Sequence, residues 1–160
     1  MSDFPRCKYR YIGMEKESFG YKIEGSFGFD TGDKDSSIVT KELGIEPTWS
    51  WNKDDEYFVK RINELRYRSN GIWGYEAKPM FIDVTDISPM IQHFKELLSD
   101  KIEIINKLIA KYQFVCNLCI TIYTEEEGAC GTSVNKDELL FLSNFSRFDI
   151  NYLQVANVED

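Results

Sequence analysis

Between Phe114 and Tyr123 every even position is apolar, Phe114, Cys116, Leu118, Ile120 and Ile122, while the odd positions are mixed. Successive side chains of a strand point to opposite faces, so this period of two predicts a strand with one face on a core and the other less deeply covered. Each large side chain buried there is worth about 1.5–3 kcal/mol as an upper value, which makes the stretch a main contributor to the core. The same alternation predicts a strand over Phe19–Phe29, where Phe19, Tyr21, Ile23, Gly25, Phe27 and Phe29 interleave with small and charged residues. A last strand is expected at Phe148, Ile150 and Tyr152.

Helical spacing fills the gaps. Asp35 or Ser36 is placed to cap a helix carrying Ile38, Val39 and Leu43, Gly44 to stop it, and Pro47 to prevent a restart. Ser88-Pro89 is a helix start, and Ile91, Phe94, Leu97 and Leu98 follow at helical intervals. Ser99-Asp100 breaks or bends that helix before a second stripe of Ile102, Ile105, Leu108, Ile109 and Tyr112. Asn135 with Glu138 three residues on forms a capping box for a helix running to about Asn144. Phe58, Ile62 and Leu65 suit a short helix over Tyr57–Leu65, with extended structure as the alternative. Asn70-Gly71 tolerates the positive backbone angles of a tight hairpin turn, which predicts pairing of Leu65–Ser69 with Ile72–Lys78. Lys8–Ile12 is a candidate edge strand.

Strands that alternate favour an antiparallel sheet with one covered face over a parallel sheet buried on both. The expected class is therefore α+β, a two-layer sandwich with helices packed on one face and a ferredoxin-like arrangement as its nearest common relative. A chain of 160 residues can bury roughly 70% of its unfolded surface as one domain, so residues 1–160 are expected to form a single unit. Residues 1–17 are expected to be irregular, and the acidic end, 155–160, to fray. No apolar run approaches the ~20 residues of a membrane span, and Met1–Cys7 lacks a basic-then-apolar signal segment, so a cytoplasmic location is expected. Cys7, Cys116, Cys119 and Cys130 are then expected to be thiols.

Chemistry is sparse. Cys116 and Cys119 have C-x-x-C spacing, but residues three apart on a strand point to opposite faces, so neither a metal nor a disulfide is expected there. His93, the only histidine, lies beside the apolar stripe of its helix. Asp30, Asp33 and Asp35 do not fit the ligand spacing of a calcium loop and are explained by turns and caps. Gly128-Ala129-Cys130-Gly131 has a G-x-x-G form, yet three glutamates precede it and would repel phosphate. No P-loop, dinucleotide fingerprint or nucleophile elbow is present, so no catalytic residue, metal or cofactor is nominated. The formal charge of −8 argues against nucleic acid and favours a basic protein partner.

One constellation remains. The hairpin expected at Asn70-Gly71 would set Arg68 opposite Trp73 and Arg66 opposite Tyr75 on one face, with Trp49 and Trp51 on a nearby loop. Arg, Trp and Tyr are the residues enriched at binding hot spots. The structural alternative is that Trp73 fills the core while arginine stems cover its edge.

Leu43-Gly44-Ile45-Glu46-Pro47-Thr48, preceded by Ile38 and Thr40 and followed by Gly71-Ile72-Trp73, resembles domain-of-unknown-function family 4279. The resemblance runs from about Phe19 to Tyr152. It departs over Asn52–Ser69, where the family's lysine-glycine pair is replaced by Lys53-Asp54. It implies a bacterial source and a small α+β domain, and it carries over no activity and no catalytic residue. Small size, acidity and missing catalytic motifs then favour a non-enzymatic protein-binding module, of the immunity or accessory kind. The alternative is a small-ligand sensor or an enzyme of unrecognised type with a cleft near Trp49, Trp51 and Trp73.

Overall fold

Two long alternating strands pair at the centre of the sheet, in a computed structural model that describes residues 21–82, 85–124 and 131–154. β1 (Tyr21–Gly32) and β7 (Val115–Thr124) run antiparallel, with Ile23 opposite Ile122, Phe27 opposite Leu118 and Phe29 opposite Cys116. This register sends the apolar halves of both patterns to one face. On the other edge of β1 lies β5 (Gly71–Glu76), antiparallel, with Trp73 opposite Phe29 and Tyr75 opposite Phe27. β2 (Trp49–Trp51) pairs with β5 in turn. β6 (Met80–Ile82) pairs with the start of β1 on the same edge as β5. Pro79 lies between the two and has no N–H for the ladder, which accounts for the interruption.

β8 (Arg147–Gln154) is parallel to β7, and the order is β2-β5-β1-β7-β8. A parallel pair needs a crossover, and α4 (Lys136–Leu142) supplies it. The element order is longer than the βαββαβ of a ferredoxin-like unit.

The helices bury their apolar sides against the face that holds Ile23, Phe27, Phe29, Leu118 and Ile120. α2 (Ser88–Leu98) contributes Met90, Ile91, Phe94 and Leu98, and α3 (Ile102–Tyr112) contributes Ile105 and Leu108. A single 3-10 turn, Ser99–Lys101, joins them where Ser99-Asp100 interrupts the stripe. α1 (Ser37–Leu43) adds Val39 and Leu43 and ends at Gly44 in the left-handed region, φ 68°. The Gly44 N–H donates to the Thr40 carbonyl at 2.8 Å, the cap bond that such a glycine allows. The Asn135–Glu138 capping box forms in both directions, at 2.8 and 2.9 Å. The helix it starts stops at Leu142, where the Asn144 amide donates to the Leu140 and Phe141 carbonyls. The result is an α+β fold with a mainly antiparallel sheet and one helical layer.

Two expectations are corrected. Tyr57–Leu65 is not helical: Glu56–Val59 (β3) and Glu64–Tyr67 (β4) form a separate two-stranded hairpin. A helix there would have needed a core to receive Phe58, Ile62 and Leu65, and these three are exposed. Asn63, at φ 52°, makes the turn. The pairing expected around Asn70-Gly71 is also absent, because β4 is taken by β3 and β5 by β1 and β2. Gly71 instead permits a close approach: a Cβ there would collide with the Thr31 hydroxyl and lie 3.1 Å from the Lys34 carbonyl. Asn70 donates to Asp30 at 2.7 Å, tying the segment to the end of β1. The candidate strand at Lys8–Ile12, residues 1–17 and the tail 155–160 lie outside the described residues.

Candidate functional site

The second face of the sheet receives none of the helical core side chains, and the register assigns its rows. Trp51, Ile72, Asp30 and Val115 form one row; Trp49, Gly74, Gly28, Asn117 and Arg147 form the next. Trp49 lies across Gly74, where any Cβ would collide with the indole. The glycine is therefore the seat of the ring. The Trp49 Nε1 and the Asn117 Oδ1 are both buried without a hydrogen-bond partner among the described residues, Asn117 being 7% exposed. Buried polar atoms are ordinarily paired, so this row holds unused hydrogen-bonding capacity.

The β3–β4 hairpin is fastened beside this face. Its base is closed by Asp54 N–H donating to the Arg68 carbonyl (2.9 Å) and Arg68 N–H donating to the Asp55 carbonyl (3.0 Å). The Arg68 guanidinium carbon lies 4.1 Å from the Trp51 ring centre and 3.9 Å from that of Tyr57. Each such contact is worth about 0.5–2 kcal/mol, the upper figure when desolvated. Arg68→Ala is accordingly expected to lower the melting free energy by about 0.5–2 kcal/mol and to red-shift Trp51 emission. Lysine at the same position should recover less than half of the loss, since it lacks the flat guanidinium. An unchanged spectrum and melt would show that the stack does not hold the hairpin.

The six residues nominated from sequence do not form one cluster. Trp49, Trp51 and Arg68 meet on or beside this second face, which is helix-free among the described residues. Arg66 lies opposite Tyr57 rather than Tyr75, is exposed, and bonds Glu64 at 2.8–2.9 Å, which pushes its pKa further up. Trp73 is fully buried on the helical side, donating from Nε1 to the Thr40 hydroxyl at 2.8 Å and meeting Phe27 and Phe29 edge-on. Tyr75 is half-buried against the same core. Tyr57 and Gly74, missed in the sequence, complete the aromatic corner; the alternation of Tyr57 and Val59 was the signal for the former.

This face also carries Glu24 and Glu76, beside Lys22 and Arg147. Glu76 has its carboxyl raised above the ordinary value by burial and then by the nearby Glu24, with Lys22 acting the other way. Glu24 is ion-paired with Lys22 and accepts from the Tyr123 hydroxyl at 2.9 Å. Cys116 and Cys119 fall on opposite faces of β7, the first buried with its thiol pKa pushed well up by desolvation. The second accepts from Asn151 at 3.1 Å. Cys7, Cys130 and the G-x-x-G glycine Gly128 lie outside the described residues.

A separate open cleft of about 550 Å³ lies between α1 and β2, lined by Asp35, Ser37, Thr40, Lys41, Glu46 and Ser50 among others. Polar and charged side chains line it together with Pro47 and apolar stems, and none of the three tryptophans does. No helix among the described residues is long and apolar enough to cross a membrane.

No curated protein and no solved structure matches the chain. A family model described as a domain of unknown function, DUF4279, matches residues 22–152, from the start of β1 to the body of β8. The match covers both long central strands, the helical layer and the aromatic corner, and the chain belongs to the DUF4279 family.

Proposed function

We propose that this chain is a non-enzymatic protein-binding domain, and that the helix-free sheet face with its aromatic corner receives a basic segment of its partner. The observation that carries this is Trp49 laid on Gly74 beside Trp51, itself stacked with Arg68, on a face that also holds Glu24 and Glu76. Aromatic rings and partly desolvated carboxylates together favour a cationic guest. A lysine or arginine placed between Glu24 and Glu76 relieves the repulsion that Lys22 alone offsets incompletely. An immunity or accessory role in the cytoplasm belongs to the same proposal.

The alternative, a small-ligand sensor or enzyme, has the cleft between α1 and β2 in its favour. Ligand pockets are mostly apolar with a few polar groups, whereas polar and apolar surface share this open cleft about equally and no aromatic side chain lines it, so we place it second.

The test is a photo-crosslinking residue at Val115, which is exposed in the same row as Trp51, compared with one at Glu103 on the helical layer. In the cells that make the protein, a discrete adduct with a basic protein is expected from Val115, none from Glu103, and loss of the adduct with Trp51→Ala. Adducts from Glu103 alone, or an acidic partner at Val115, would overturn the proposal.

A further inference from the structure

The β3–β4 hairpin has two faces. Tyr57, Arg66 and Arg68 turn toward the aromatic corner, while Phe58, paired directly with Leu65, and Tyr67 lie on the other side, with Ile62 in the turn. Phe58, Ile62, Leu65 and Tyr67 are 46–59% exposed. Lys60 and Arg61 at the tip are exposed and make no ion pair among the described residues. Residues 56–68 carry four basic and two acidic side chains, a net +2, so the rest of a chain of net −8 carries −10.

A second apolar patch stands elsewhere on the chain. In α4, Phe141 and Leu142 are buried while Leu139 and Leu140 are 56% and 59% exposed, next to the exposed Lys136 and Asp137. Both patches are apolar, and the hairpin is basic while the rest of the chain is acidic. They also belong to opposite ends of the strand order: the hairpin leaves from β2 and returns to β5, and α4 leads into β8. They therefore meet only between molecules.

We infer that the chain self-associates by docking the β3–β4 hairpin of one copy on α4 of a second copy, with Phe58, Ile62 and Leu65 against Leu139 and Leu140. The opposite net charges of hairpin and body steer the encounter, and the apolar side chains hold it. Each copy offers one hairpin and one α4: two copies that engage both contacts reciprocally form a closed two-fold pair, and head-to-tail contacts continue into a ring or filament. The contact uses neither Trp49 nor the helix-free face, so its fate is independent of the partner site proposed above.

Sedimentation of the full chain tests this. A species heavier than the 18.7 kDa monomer is expected at low salt, dissociating on dilution. It should weaken in about 1 M salt, where screening shortens to about 3 Å. Phe58→Ser with Leu65→Ser, and separately Leu139→Ser with Leu140→Ser, should each raise the dissociation constant at least about tenfold. Their melts should stay near that of the parent, since all four positions are exposed. Lys60→Glu with Arg61→Glu, in a turn that tolerates it, should weaken association at low salt only. The decisive sample is the mixture of the hairpin variant with the α4 variant, which retains one intact contact and is expected to form a two-chain species that neither forms alone. A parent that stays at 18.7 kDa at every concentration, an assembly indifferent to salt, or a mixture that stays monomeric would each overturn the inference.

Discussion

Trp73→Ala is expected to lower the stability of the fold by about 3–5 kcal/mol, the usual cost of emptying a large buried aromatic site. For a chain of this size that corresponds to roughly 6–20 °C in melting temperature. The side chain is fully buried, touches Phe27 and Phe29 edge-on, and has its one polar atom satisfied by Thr40. Alanine leaves a cavity between β5, β1 and α1 that those elements cannot close without giving up sheet pairing. Trp73→Phe keeps much of the ring and gives up the bond to Thr40, so its loss should be smaller, and Thr40→Val smaller again. Chemical denaturation of the three variants checks the order. A Trp73→Ala protein with the parent's midpoint would return Trp73 to the surface, and with it the idea that it belongs to a binding face.

The strands and helices that carry the core were legible because their burial is one-sided. The alternation of Phe114–Tyr123 and of Phe19–Phe29 survives in β7 and β1 because one face meets the helices and the other does not. Caps at Gly44 and Asn135 were legible for a local reason: a left-handed residue and a reciprocal pair of side-chain bonds need only a few neighbours. The aromatic cluster was misassembled for a non-local reason. Asn70-Gly71 has the composition of a tight turn, but Asn70 is held by Asp30, forty positions away, and β5 finds a better partner in β1. Once that pairing is lost, Trp73 goes to the core, and Arg68 finds Trp51 and Tyr57 instead. The hairpin β3–β4 defeats periodicity for the same reason: Phe58, Ile62 and Leu65 have helical spacing, yet all three stay exposed in a two-stranded hairpin outside the main sheet.

Gly25→Ala is expected to cost about 1–3 kcal/mol, although alanine is the smallest change available and the site is a strand where glycine is ordinarily a weakness. The residue interrupts the apolar series Ile23, Phe27, Phe29 on the covered face of β1, opposite Ile120 of β7. A Cβ there would lie 2.6 Å from the Met90 Sδ and 2.7 Å from Phe94 Cε2, both fully buried on α2. Met90 can bend, but it is fully buried, and a close-packed interior leaves it little room. The added methyl therefore lifts α2 from β1, and the strain spreads to Ile91 and Leu98 on the same helix. If that is the cause, Met90→Ala should make room: the double variant Gly25→Ala, Met90→Ala should lose less than the sum of the single losses, by about 0.5–3 kcal/mol. Additive losses would place the cost of Gly25→Ala in the strand itself. A neutral Gly25→Ala would mean that α2 rides farther from the sheet, and that the gap in the apolar series is tolerated rather than required.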